Sequence, residues 1–84
     1  LIERGKYELG KKERLWVRYY KNGNIKSERY YSNDKLSGFY NFYYPTGEIL
    51  VIGNFFNNKR DGKWKFYDKN KKLKKEKNME ITKK

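Results

Sequence analysis

The chain repeats with a period of 24 residues and no insertion or deletion, so it must fold as an array of like units rather than around one irregular core. Tyr7, Tyr31 and Phe55 fall in one column of the repeat, and Trp16, Tyr40 and Trp64 in a second. Tyr19, Tyr43 and Tyr67 make a third, and Leu1, Ile25, Ile49 and Leu73 a fourth. Gly23/Gly47, Gly38/Gly62 and Lys11/Lys35/Lys59 complete the pattern. Arrays of this kind stack neighbour on neighbour and present extended surfaces, which suits binding better than pocket chemistry.

With 84 residues the chain buries only roughly 60–65% of its unfolded surface, so its aromatic side chains must carry much of the packing. It holds two Trp, nine Tyr and five Phe, each able to bury roughly 150–250 Å². There is no cysteine, which excludes disulfides and thiolate metal sites and leaves the redox compartment open. The longest apolar run, Ile49–Ile52, is far short of the roughly 20 residues a spanning helix needs. No signal peptide is visible, yet the sequence begins at Leu1, already in phase with the repeat. A trimmed N-terminus is therefore expected, with an export signal or a further repeat upstream.

Net charge is +12, of which residues 59–84 supply +8. That asymmetry suits contact with an anionic surface. Lysine outnumbers arginine seventeen to five, so the charge is mostly mobile point charge rather than planar forks that read phosphates or bases. AT-rich codons would enrich Lys, Asn, Ile and Tyr together and offer a non-functional source for the same bias.

Within a copy, Asn22-Gly23 separates two β-rich runs, the strongest short-range hairpin signal; Pro45-Thr46-Gly47 and Asn70-Lys71 occupy the equivalent places. Between copies, Ser32–Lys35 and Asn57–Asp61 are rich in residues that tolerate positive φ. The expected fold is all-β: an elongated, single-layer antiparallel meander of six or seven strands. Pairing Tyr20 with Ile25 puts Arg18 opposite Ser27 and Trp16 opposite Arg29. By the same rule Tyr44 faces Ile49, Phe42 Val51 and Tyr40 Gly53, then Asp68 Leu73, Phe66 Lys75 and Trp64 Lys77. One face should then carry the Trp/Tyr, Phe and Ile/Leu columns as parallel ladders. The Tyr19/Tyr43/Tyr67 stripe points away from them, flanked by Lys26, Leu50 and Lys74.

Catalysis is not expected. The chain has neither histidine nor cysteine, the commonest general base and the commonest activated nucleophile. Ser27, Ser32 and Ser37 lack a partner base, and Glu28 and Glu76 stand roughly 19 Å apart by strand spacing. Asp34 and Asp61 lack neighbouring ligands for a hard cation, so no metal and no cofactor is expected. The Trp16/Tyr40/Trp64 column reads as core rather than as a stacking platform. The candidate interaction surface is Tyr19, Tyr43 and Tyr67 with Lys26 and Lys74, extended by Lys71, Lys72 and Lys75 of the basic third copy. Those last lysines also read as guards against strand addition at a sheet edge.

The segments Lys59-Arg60-Asp61-Gly62-Lys63-Trp64-Lys65-Phe66-Tyr67 and Trp16 to Lys26 resemble MORN repeats, in particular the bacterial MORN repeat variant. The resemblance spans about residues 1–76 and departs at Arg14 and Lys71, where the other copies have glycine. It implies a β-hairpin array over 1–78, with repeats near 5–28, 29–52 and 53–76, and a basic tail at 79–84. It implies no catalytic activity, and contacts with a protein partner, with a further copy of the chain through the sheet edges, or with anionic phospholipid. The leading expectation is an exported or cell-surface interaction module engaging a protein or an anionic host-cell surface. The alternatives are an antitoxin neutralising a cognate toxin by edge-strand addition and, behind it, single-stranded nucleic-acid binding through tyrosine stacking.

Overall fold

Asn, Asp and Gly interrupt the β-rich runs at regular intervals, and the runs between them become strands. The structure, a computed structural model, describes residues 2–79. Its strands are β1 (Glu3–Glu8), β2 (Lys11–Tyr19), β3 (Ile25–Ser32), β4 (Lys35–Tyr43), β5 (Ile49–Phe56), β6 (Lys59–Tyr67) and β7 (Leu73–Met79). They form one antiparallel sheet in sequence order, β1 to β7, measuring 41 × 40 × 10 Å. The 10 Å thickness is that of a single layer. Residues 80–84, all but the first of the basic tail expected at 79–84, lie outside the described residues; Met79 is half-buried and pairs with Gly62.

Two kinds of turn alternate. On one side of the sheet, tight two-residue turns use positive φ at both positions: Leu9-Gly10 (51° and 77°), Asn33-Asp34 (54° and 74°) and Asn57-Asn58 (54° and 72°). That is the turn whose twist matches the flanking strands. On the other side the loops have three residues. Gly23 N donates to Tyr20 O (3.0 Å) while Tyr20 N donates to Asn24 O (2.8 Å), and Gly23 has φ 95°. Tyr44 with Gly47 and Glu48, and Asp68 with Lys71 and Lys72, repeat the arrangement.

These longer loops correct the expected register at the strand ends. Tyr19, not Tyr20, is opposite Ile25; likewise Tyr43 faces Ile49 and Tyr67 faces Leu73, each after a bulge. The bulge arises because the loop's last residue needs positive φ, which shifts the pairing by one. Further along the strands the expected pairs hold, including Arg18–Ser27, Trp16–Arg29, Phe42–Val51, Tyr40–Gly53, Phe66–Lys75 and Trp64–Lys77.

The core lies on one face. Trp16, Tyr31, Val51 and Trp64 are buried there, with Ser27. The aromatic columns do not run as unbroken ladders. They form two clusters, Tyr7–Trp16–Tyr31 and Tyr40–Phe42–Phe55–Trp64, with edge-on contacts such as Tyr7–Trp16 at 5.0 Å and Phe55–Trp64 at 5.2 Å. Edge-to-face packing suits the ring quadrupole better than stacking rung on rung. The break falls at Arg29, which stands where the flanking copies have Gly5 and Gly53.

Candidate interaction surfaces

The aromatic face is built for packing. Trp16 Nε1 donates to Lys6 O and Trp64 Nε1 to Asn54 O, each at 3.2 Å, so both indoles have their one polar atom satisfied inside the sheet. Cations roof them: Lys12 Nζ lies 4.8 Å from the Trp16 ring and the Arg60 guanidinium 5.1 Å from the Trp64 ring. Lys12 and Arg60 share a repeat position, as do Trp16 and Trp64. In the copy between, Leu36, Arg29 and Tyr40 take the places of cation, glycine and tryptophan.

Arg29 forms an ion pair with Glu3 across two strands, and its Nη1 also donates to Tyr31 Oη at 3.2 Å. Burial of the Glu3 carboxyl works to raise its pKa. The hydrogen bond and charge of Arg29, helped by Arg18 and Lys12, outweigh that and hold it below the ordinary range. Arg29 Nε is buried without a partner. This pair was invisible in the sequence, since Glu3 and Arg29 are neither in one column nor on adjacent strands.

The expected tyrosine stripe lies on the opposite face. Tyr19, Tyr43 and Tyr67 are each half-buried. Tyr43 Oη donates to Glu28 Oε1 at 2.6 Å, and Asn41 Nδ2 donates to the same oxygen at 3.2 Å. Burial, then the hydrogen bond and charge of Glu28, push the Tyr43 hydroxyl up to about 12. The hydroxyl is thus committed within the sheet and is not free for a ligand.

The lysines of the expected surface do not converge. Lys26 is half-buried with Nζ 5.6 Å from the Tyr20 ring. Lys71 and Lys72 sit in the last loop, and Lys74 is exposed on β7. Lys75 lies on the aromatic side, 6.0 Å from the Phe66 ring. Tyr19 and Lys26 do meet, with Ile2, Glu3 and Arg18, around an open depression of about 160 Å³.

A second feature of the far face was not anticipated. Leu15 pairs directly with Tyr30, and the Tyr30 and Phe39 rings approach to 5.7 Å across β3 and β4. All three are substantially exposed, at 40%, 36% and 43%. Ile52 and Phe56 are exposed on the same side. The signal was present in the repeat, where Leu15 and Phe39 share a column, but that column ends in Lys63 and was not read as apolar.

Among the described residues no His, Cys, Asp or Glu cluster is placed to hold a metal ion, and no helix is long and apolar enough to cross a membrane. The family model for the MORN repeat variant matches residues 15–36 and 60–80. The two matched stretches carry Trp16 and Trp64, and the copy between them carries Tyr40. No curated protein and no solved structure matches the chain. MORN repeats commonly mediate protein or membrane interactions, and the family is generally non-catalytic. With half its length matched and a seven-stranded hairpin array as its fold, the chain belongs to the MORN repeat variant family.

Proposed function

We propose that this chain is a non-catalytic interaction module whose partner is a protein. The observation that carries the reading is the sheet itself. A layer 10 Å thick leaves both faces to solvent, and the face opposite the tryptophans keeps Leu15, Tyr30, Phe39, Ile52 and Phe56 exposed, covered by nothing among the described residues. A sheet normally buries such a face against a second layer, so a partner supplies the layer this fold lacks. Trp16 and Trp64, being locked in the sheet, are supports and not the contact surface.

A second reading, attachment to an anionic cell surface, rests on the charge of +12 and on β7, whose Lys74, Lys75 and Lys77 are exposed. An exported or cell-surface location accords with either reading, and an export signal encoded upstream of Leu1 would exclude the cytosolic antitoxin alternative. The test is capture of binding proteins on immobilised chain, in parallel with flotation on phosphatidylserine vesicles. A protein retained at moderate salt supports the first reading, and vesicle binding abolished by salt supports the second. Retention of neither ends both.

A further inference from the structure

We infer that the face bearing Leu15, Tyr30 and Phe39 receives an acidic amphipathic helix of a partner protein. The inference rests on the reading of the chain as a protein-binding module and names the surface and the chemistry of its occupant. Three observations lead to it.

The first is placement. Leu15, Tyr30 and Phe39 run across β2, β3 and β4 in one row, on the opposite side of the sheet from Trp16, Arg29 and Tyr40. The row is bounded along its own line by Asn54, which pairs with Phe39. An apolar centre with a polar margin is the form of a docking patch rather than of a stray exposed residue.

The second is charge. Lys11, Lys35 and Lys59 occupy the first position of β2, β4 and β6 and are exposed. They pair with Glu8, Ser32 and Phe56. Since Tyr7, Tyr31 and Phe55 point into the aromatic clusters, alternation puts their successors, and the lysines paired with them, on the other face. The lysines thus form a row parallel to the apolar one, four residues away along β2 and β4. Of the carboxylates that share the face, Glu13 accepts from Asn33 N and Glu28 from Tyr43 and Asn41, while Glu8 stands opposite Lys11, so Lys35 and Lys59 carry most of the charge open to a partner. A second copy would bring another +12 against this one, so the complementary partner is acidic.

The third is spacing. Successive lysines of the row lie two strands apart, roughly 9–10 Å. Seven residues of helix advance about 10.5 Å. A helix lying across the strands with a carboxylate at every seventh position therefore meets Lys11, Lys35 and Lys59 in turn. An adjoining apolar stripe, at the first and fourth positions after each carboxylate, is turned to one side of the carboxylate line and comes down on Leu15, Tyr30 and Phe39.

The probe is a synthetic helical peptide of about 18 residues with Glu at every seventh position and Leu on the adjoining stripe. Its counterpart has Gln for Glu, and binding is followed by amide chemical shifts of the intact chain. The expected result is saturable binding, weakened about tenfold or more by the Gln counterpart and by Lys35→Glu. Shifts should be largest at Leu15, Tyr30 and Phe39. Phe39→Ser, checked for retained β-structure by circular dichroism, should also lose affinity. Trp16 and Trp64 emission should hold steady, because both indoles lie on the other face. Absence of binding, shifts centred on the aromatic face, or equal affinity for Lys35→Glu would each overturn the inference. If lysate proteins are still captured in such a case, the interaction-module reading stands and only this face and occupant are lost.

Discussion

The indole of Trp64 occupies the space that a side chain at Gly53 would need: a Cβ there would come within 2.3 Å of the ring. Gly5 stands in the same relation to Trp16, at 2.0 Å. Gly53 itself has no positive φ, so its identity is dictated by the ring above it and not by backbone conformation. Gly53→Ala should destabilise the fold by about 1–3 kcal/mol, the usual range for overpacking a filled site. Chemical denaturation read by tryptophan emission measures it. The loss should be largely recovered in Gly53→Ala/Trp64→Tyr, which gives the third copy a smaller ring like that of the second.

The last loop departs from its siblings. Lys71 holds φ 67° where Gly23 and Gly47 hold 95° and 110°. Asp68 offsets part of that strain, because its Oδ1 accepts from Asn70 N (2.8 Å) and Lys72 N (3.0 Å). Lys71→Gly should stabilise by roughly 0.5–1 kcal/mol despite the greater freedom glycine gives the unfolded chain. Asp68→Ala should destabilise by about 1 kcal/mol, as for other lost caps of exposed N–H groups. Thermal melts of the two single variants and the double variant check both signs.

Acid should weaken the chain through Glu3. Its folded pKa lies below its unfolded value, so its contribution is complete above the unfolded carboxylate range and fades as pH falls through the folded value. Glu3→Gln should remove that component and flatten the fall of the denaturation midpoint as pH drops below the ordinary carboxylate range. Arg29→Met should do the same while also relieving the unpartnered Nε.

Alkali acts through Tyr43 with the opposite sign. A hydroxyl pushed up to about 12 favours the protonated folded form. Its contribution is intact below the unfolded value near 10 and disappears as pH rises through 12. Tyr43→Phe should abolish the highest-titrating step in an absorbance titration of the phenols. It should also cost about 1 kcal/mol at neutral pH, the worth of a part-buried hydrogen bond.

The sequence period located the strands, the faces and most of the cross-strand pairs, because a 24-residue unit admits one register for each turn position. It did not reveal the strand-end bulges, which follow from a three-residue loop that an Asn-Gly pair does not distinguish from a two-residue one. Nor did it reveal Arg29–Glu3, a contact that reaches over β2 to join side chains two strands apart. The tyrosine stripe lies on the face the alternation predicts, but the engagement of Tyr43 by Glu28 leaves no mark in the period, since it joins two columns with no repeat relation. Leu15, Tyr30 and Phe39 escape the period for a different reason: the column of Leu15 and Phe39 ends in Lys63, and Tyr30 is the lone aromatic in a column of Lys6, Asn54 and Asn78.

The links between copies reach only to the next copy. Tyr20 Oη donates to Tyr43 O (2.6 Å) and Tyr44 Oη to Tyr67 O (2.9 Å). On the other side of the sheet Asp34 N donates to Lys12 O (3.0 Å) and Asn58 N to Leu36 O (2.9 Å). Every junction thus has the same stitches at both of its ends, and no copy touches the next but one through them. A chain stitched in this way can gain or lose one whole unit without retuning the rest, each unit adding two strands, or roughly 9–10 Å, of width. The reach of the surface is thereby a count of copies, adjustable by duplication alone, while its chemistry is written separately in the residues that each copy leaves out of the pattern.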